Sequence, residues 1–225
     1  MRLRHIKGSE ELMEESPWVI SLEGLEAQEA SGEISRFADG LPLCLEIGTG
    51  KGGFILQNAR LYPEKKFIGM ERQASALVFA VKKAVKAEEE MLGKLENLRF
   101  LYGDADRITD YFLRSSVQVI YLNFPDPWPK ARHEGRRLTS AAYLRKFSEI
   151  LSPEGRIELK TDNRGLFDYS LGQLDPAGYH LETCTYDLHG EPALCQNNVM
   201  TEYERKFVAE GVPICKYAAV IKEEA

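Results

Sequence analysis

Residues 41–71 read LPLCLEIGTGKGGFILQNARLYPEKKFIGME. LPLCLEIG is a short apolar run closed by glycines, as a buried strand is. GGFILQNARLYP follows as a helix that ends at Pro63, since proline lacks the N–H the helical ladder needs. KFIGME is the next strand, and strand–glycine turn–helix–strand is the right-handed parallel crossover unit. The alternation continues outward. QASALVFAVKKAVKAEEEMLGKL has helical spacing, LRFLYGDA is a strand, DRITDYFLR is helical, and VQVIYLNF is a β-branched strand. LTSAAYLRKFSEIL is a helix with Thr139 or Ser140 as its N-cap, followed by the strand SPEGRIELKTD and the helix NRGLFDYSLGQL. GYHLETCTYDL and PICKYAAVIK are the last strands, with a short helix at TEYERKF between them. This order predicts an α/β chain: a doubly wound, mostly parallel sheet of seven strands with helices on both faces. One of the last two strands should run antiparallel, because only a short piece of helix joins them. Residues 41–225 form the domain, and residues 1–40 are a polar N-terminal extension with one short helix, SEELMEE, stopped before Pro17.

The 225 residues suffice to bury roughly 70% of the unfolded surface. Hydrophobic residues make up 44% and charged residues 28%, which excludes a disordered or collagen-like chain. No apolar run approaches a membrane span, and the basic start MRLRHIK has no apolar segment behind it, so neither a membrane partner nor a signal peptide is expected. Cys44, Cys184, Cys195 and Cys215 are scattered without zinc spacing; buried free thiols in a reducing cytoplasm, and no metal site, are expected. The net charge of −6 argues against a polyanionic partner, but Lys130, Arg132, His133, Arg136 and Arg137 form a local basic cluster that can hold phosphates.

Open parallel sheets bind ligands at the carboxyl ends of their strands, here after Ile47, Met70, Gly103, Leu122 and Lys160. The first point is Glu46-Ile-Gly48-Thr-Gly50-Lys-Gly52-Gly53, a G-x-G-x-x-G loop between strand and helix, without the lysine-plus-Ser/Thr pattern of a P-loop. Glu71 ends the next strand, where a carboxylate accepts both ribose hydroxyls of an adenosine. Glu46 stands just before the glycines and would repel a pyrophosphate. It suits the ammonium and sulfonium of S-adenosylmethionine. Asp104 is placed for an adenine amino group. VQVIYLNF ends in Asn123-Phe-Pro-Asp-Pro-Trp-Pro-Lys130, whose three prolines make a stiff, extended loop. An Asn here, followed by proline and aromatics, positions a flat acceptor base. Asp126, between prolines, reads as functional, and Trp128 as a core residue.

These pieces resemble the bacterial tRNA (guanine-N7-)-methyltransferase family. The match comprises Glu46 to Phe54, Gly69-Met-Glu71, Asn123 to Lys130, Arg132-His133, Arg136-Arg137-Leu-Thr139, Lys160-Thr-Asp162, Thr201-Glu-Tyr-Glu204 and Lys206-Phe207, besides MRLRHIK. FPDPWPK together with TEYE is its most specific part. Ala131 and Glu134-Gly135 stand where the family's arm is more basic. The resemblance implies a Rossmann-like methyltransferase sheet and transfer of a methyl group from S-adenosylmethionine to N7 of a guanosine in the tRNA variable loop, position 46 by tRNA convention. It implies a cofactor set of Glu46, Gly48, Gly50, Glu71, Arg72, Asp104, Ala105, Asn123 and Asp126, with Asp126 also catalytic. It further implies substrate contacts from Lys130, Arg132, Arg136, Arg137, Asp162, Thr201, Glu202, Tyr203 and Glu204, in a cytoplasmic monomer or homodimer.

Guanine N7 carries a lone pair and no proton, so the transfer needs positioning rather than a strong base. Asp162 or Glu204 would accept from the guanine N1 and N2 protons. Tyr203 would stack on a base or, equally, pack on the sheet. A methyltransferase acting on another RNA, a protein or a small molecule is the alternative. An NAD enzyme is disfavoured by Glu46, and a non-catalytic RNA binder by the intact glycine loop.

Overall fold

The structure, a computed structural model, describes residues 6, 8–14, 16–20, 22, 24–91 and 95–222. Of MRLRHIK only Ile6 is among them; the rest of that match, Glu15, and Leu92 to Lys94 of the expected long helix lie outside the described residues. The chain divides into two units, Met1–Leu113 and Arg114–Ala225.

The first unit runs α1 (Ser9–Glu14), β1 (Val19–Ile20), α2 (Ala27–Ala38), β2 (Leu43–Ile47), α3 (Gly53–Leu61), β3 (Lys66–Glu71), α4 (Ala74–Met91), β4 (Leu98–Tyr102) and the short α5 (Ile108–Tyr111). Its strands lie in the order β1-β4-β3-β2, every pair parallel. All five residues of β2 are buried, which is why it reads as an apolar run broken only by Glu46. The register sets Glu46 beside Gly69 and Glu71 beside Tyr102, so the three neighbouring strands present their carboxyl ends together. β1 is an addition to the seven expected strands. Two residues carry no alternation, and Val19–Ile20 becomes a strand only because β4 lies alongside: the Phe100 amide donates to the Trp18 carbonyl at 2.7 Å. α1 packs on α4 and α2 on α5, so described residues of the extension are built into this unit.

The carboxyl end of α3 is closed by one side chain. Asn97, 8% exposed, donates through Nδ2 to the carbonyls of Ala59 (2.9 Å), Tyr62 (3.2 Å) and Lys65 (3.1 Å). These include carbonyls that a helix end leaves without a helical partner.

The second unit runs β5 (Val117–Asn123), α6 (Ala141–Ile150), β6 (Leu151–Thr161), α7 (Arg164–Leu174), β7 (Tyr179–Thr185), α8 (Pro192–Cys195), α9 (Glu202–Ala209) and β8 (Cys215–Ile221). Its order is β5-β6-β8-β7. β5 and β6 are parallel, and the last strand, β8, is antiparallel to both of its neighbours, as the short connection requires. Ser140, not Thr139, caps α6, accepting from the Tyr143 amide. Thr139 is fully buried and bonded to Ser170 instead. Leu144, Phe147 and Ile150 give α6 its buried face. No disulfide joins the cysteines; Cys44 and Cys215 are buried as expected, but Cys195 is half-buried and Cys184 is exposed because β7 ends the strand order of this unit.

An ion pair buried in this unit joins β6 to α9. Lys160 Nζ donates to Glu204 Oε2 (2.6 Å), the Val199 carbonyl (2.8 Å) and Asn198 Oδ1 (3.2 Å). Glu204, fully buried, also accepts from Asn198 Nδ2 (2.5 Å) and the Thr201 amide (3.3 Å), and His189 Nε2 lies 3.0 Å from its Oε1. Thr201 and Glu204 form the capping box of α9. Burial pushes the Lys160 ammonium down, with Glu204 opposing that shift. Burial would push the Glu204 carboxyl up, but Lys160, Asn198 and the Thr201 amide outweigh it and hold the carboxyl below its ordinary value.

Asn97→Ala strips a buried donor from several carbonyls and should cost about 1–3 kcal/mol, read as a lower midpoint in urea at unchanged slope. Asn97→Asp, which cannot donate, should recover none of it. Glu204→Gln leaves a buried ammonium without its counter-charge and should cost about 3–5 kcal/mol, whereas Lys160→Met/Glu204→Met removes both charges and should recover most of that. Because the folded Glu204 value is depressed, its contribution is complete above about pH 4.3, the unfolded value, and is lost as pH falls through the folded one. Acid unfolding of the double variant should therefore be shallower than that of the wild type. The lowered Lys160 value acts at the alkaline end and does not enter this window.

Candidate active site

In the first unit the loop after β2 turns through Gly48 (φ 77°), Gly50 (φ 56°) and Gly52 (φ 69°), a left-handed backbone that side chains disfavour. The Gly48 and Thr49 amides both donate to the Met70 carbonyl, at 2.9 and 3.0 Å. A Cβ on Gly48 or Gly50 would meet nothing within 4 Å, so this side of the loop is open. On Gly52 it would stand 2.7 Å from the Ala80 Cβ, so that glycine lets α3 start close against α4.

Carboxylates tie this loop down. Thr49 Oγ1 donates to Glu46 Oε2 at 2.5 Å, and Glu46 is 3% exposed. Glu71 accepts the Gly50 amide at Oε2 (3.0 Å) and the Gln73 amide at Oε1 (2.9 Å), joining the glycine loop to the start of α4. Each carboxylate oxygen keeps a second lone pair, enough for a pair of hydroxyls. Asp104 Oδ1 caps the turn Ala105–Arg107 by accepting the Asp106 amide at 3.0 Å; Ala105 is buried and Arg72 is exposed. Lys51, the cation inside the loop, lies over the Phe79 ring at 5.7 Å. An open glycine turn tied to two carboxylates, with its own lysine turned onto a ring, suits an adenosine with a cationic tail and not a pyrophosphate.

In the second unit the NFPDPWPK loop leaves β5 at Asn123. Phe124 (φ 50°) and Trp128 (φ 41°) both take the left-handed conformation that non-glycine residues avoid. Such strain costs about 1–3 kcal/mol per residue and persists where the surroundings impose it. Here the Phe124 amide donates to the Lys160 carbonyl at 2.7 Å. The Phe124 ring stacks between Tyr203 (6.1 Å, 28°) and Phe207 (6.0 Å, 21°). Tyr203 is 60% exposed, so it presents a face to solvent and does not pack on the sheet. Asp126 is exposed, and no other described residue pairs with its carboxylate.

Beyond the loop, Lys130 is exposed at the start of the turn Ala131–Arg136. Trp128 is half-buried rather than in the core, edge-on to His133 (5.6 Å) with the Arg136 guanidinium over its ring (5.1 Å). Arg132 and Arg136 are exposed, whereas Arg137 is half-buried and bonded inward to Pro127 and Trp128. Asp162, half-buried, follows β6, and Glu202 is exposed on α9. Glu204 has no exposed surface and its oxygens are taken by Lys160, Asn198, His189 and the Thr201 amide. The structure thus puts Thr201 and Glu204 to use as the cap and anchor of α9, leaving Glu202 and Tyr203 as the outward residues of that motif. Lys160, Phe207 and Tyr169 were given no role from sequence. Lys160 shares its strand with Glu154, Arg156 and Glu158, so no local signal marks it, and its partner is 44 residues away.

Comparison with known proteins bears on the same residues. A family model described as "Putative methyltransferase" matches residues 41–217. A tRNA (guanine-N(7)-)-methyltransferase of Oenococcus oeni is 45% identical over 215 residues, 95% of this chain and 96% of that one. The protein of the same name from Lactobacillus johnsonii is 44% identical over 225 residues, 99% of this chain and 100% of that one. Among solved structures, the 16S rRNA methyltransferase KamB superposes with a TM-score of 0.63 at 17% identity, over 85% of this chain and 93% of that one. A SAM-dependent methyltransferase from Aquifex aeolicus gives 0.53 at 15% identity, over 95% and 96%. The solved structures agree in fold, and the near-full-length relatives settle the kinship: the chain belongs to the tRNA (guanine-N7-)-methyltransferase family.

Proposed function

We propose that the protein transfers a methyl group from S-adenosylmethionine to N7 of a guanosine in tRNA, at position 46 of the variable loop, in the cytoplasm, as a monomer or homodimer. Residues 41–225 are its methyltransferase domain and residues 1–40 an extension. The observation that carries the reading is the unpaired Asp126 carboxylate, one proline away from an outward aromatic face made by Phe124 and Tyr203. A flat face beside a free carboxylate suits a purine that gains positive charge. The curated relatives, named for this reaction on tRNA, support it, and no described helix is long and apolar enough to cross a membrane.

S-adenosylmethionine supplies an electrophilic methyl group on a cationic sulfur. Glu71 would accept the ribose hydroxyls on the lone pairs its backbone partners leave, Glu46 would answer the ammonium, and Asp104 would take the adenine amino group. Gly48 and Gly50 let the backbone approach. With S-adenosylmethionine bound, the N7–carbon bond would form as the carbon–sulfur bond broke, and the positive charge would pass to the purine with no proton moved. Asp126 stabilises that charge. Tyr203 stacks on the base, and Lys130, Arg132 and Arg136 meet phosphates. Incubating unmodified tRNA with protein and S-adenosylmethionine, then analysing nucleosides, should yield 7-methylguanosine. A different methylated nucleoside, or none, rejects the reading.

Glu71→Ala should weaken S-adenosylhomocysteine binding at least about tenfold by calorimetry, about 1.4 kcal/mol, because hydroxyl contacts and the loop tether go together. Asp126→Ala should lower kcat by about 10²–10³ at saturating tRNA and cofactor. Asp126→Asn, which keeps size and removes charge, should be nearly as slow; wild-type kcat in both variants would remove Asp126 from the chemistry.

A further inference from the structure

Arg137 lies in a run of basic residues whose other arginines point outward, yet its guanidinium faces the protein. Nε donates to the Pro127 carbonyl at 3.0 Å and Nη2 to the Trp128 carbonyl at 3.1 Å. That edge of the guanidinium is the fork that would otherwise hold a phosphate. Its flat face lies 4.2 Å from the centre of the Tyr169 ring on α7. Burial and the neighbouring Glu134 carboxylate push the Tyr169 phenol up, and the Arg137 amide donates to the Glu134 carbonyl at 3.0 Å. The Arg137 carbonyl accepts the Ser140 amide at 2.9 Å, where α6 begins. Side chain and backbone together therefore bind the loop to two helices.

What the fork holds is the strained end of NFPDPWPK. Trp128 is left-handed, and the two carbonyls that Arg137 grips belong to it and to the proline before it. The other strained residue, Phe124, is anchored through its amide to the Lys160 carbonyl. Asp126 sits between these anchors with no partner of its own. Its direction is thus set by backbone bonds on either side and by the flanking prolines.

We propose that Arg137 is a positioning residue that aims Asp126 by gripping the loop, and that it is not a phosphate contact like its neighbours Arg132 and Arg136. The proposal rests on the tRNA methyl-transfer reading above. The test compares Arg137→Ala, Arg137→Lys and Arg132→Ala/Arg136→Ala with the wild type. The readouts are kcat at saturating tRNA, the salt dependence of tRNA affinity, and hydrogen exchange at the Asp126, Trp128 and Lys130 amides.

In Arg137→Ala, kcat should fall by about tenfold to a hundredfold, the scale for misplacing a reacting geometry by an ångström. Its salt slope should equal that of the wild type, and exchange at the three amides should quicken. Arg137→Lys should recover kcat only in part, because an ammonium cannot span two carbonyls and stack on a ring. Arg132→Ala/Arg136→Ala should instead give a salt slope shallower by about 0.7–0.9 per lost phosphate contact. A shallower slope in Arg137→Ala would overturn the proposal, as would unchanged kcat or full recovery by lysine. Should Arg137→Ala not fold, the lysine variant decides by the same readings. Should the wild type fail to methylate tRNA, the functional reading falls while loop exchange still decides the role of Arg137; exchange at wild-type rates overturns it.

Discussion

A lysine and a glutamate removed together from water hold the second unit in register. Taking either charge out of water costs several kcal/mol, and only close geometry with complete hydrogen bonding repays that. Lys160 uses its three N–H groups on three acceptors, and Glu204 receives donors from a helix cap, an asparagine and a histidine as well as the lysine. The pair fastens the carboxyl end of β6 to the first turn of α9. The backbone of the same lysine holds Phe124, so one residue indexes both the loop after β5 and the helix whose tyrosine stacks on it. Misplacing Lys160 would shift the aromatic face and the Asp126 loop together.

The first unit uses carboxylates differently. Glu71 and Asp104 each accept backbone amides and remain at strand ends. A carboxylate that serves as the loop's tether is held before any ligand arrives, and pre-set geometry lowers the cost of binding. The same economy appears around Asp126, where strain at Phe124 and Trp128 is held by neighbours outside the loop. In both places the group proposed to meet a ligand is oriented by backbone bonds, which move less than side chains.

The charge distribution follows from this division. The chain is acidic overall, at −6, yet Lys130, Arg132 and Arg136 are exposed together along one short stretch. At a screening length of about 8 Å, a polyanion close to that stretch senses it more than the net charge. Arg137 has the same charge but its guanidinium is bonded inward, and His133 is half-buried against Trp128, so three of the five residues of the basic run are exposed.

The strand–helix alternation, the glycine loop, the acidic strand ends and the proline loop were all legible in the sequence, because each rests on local periodicity or on the conformational limits of glycine and proline. That one of the last two strands runs antiparallel followed from the length of one connection, and the sheet shows it is β8. Tertiary structure decided the rest. Val19–Ile20 is a strand only because β4 offers it a ladder. Glu204 caps and anchors where sequence suggested a base contact, because its partners lie up to 44 residues away. Arg137 and Arg136 are adjacent and alike in sequence, yet one grips carbonyls ten and nine residues back while the other lies over the half-buried Trp128 indole. Residue type determines what a side chain can bond to. Which partner it meets, and whether water can still reach it, is set by packing between segments distant in the chain, and no local pattern encodes that.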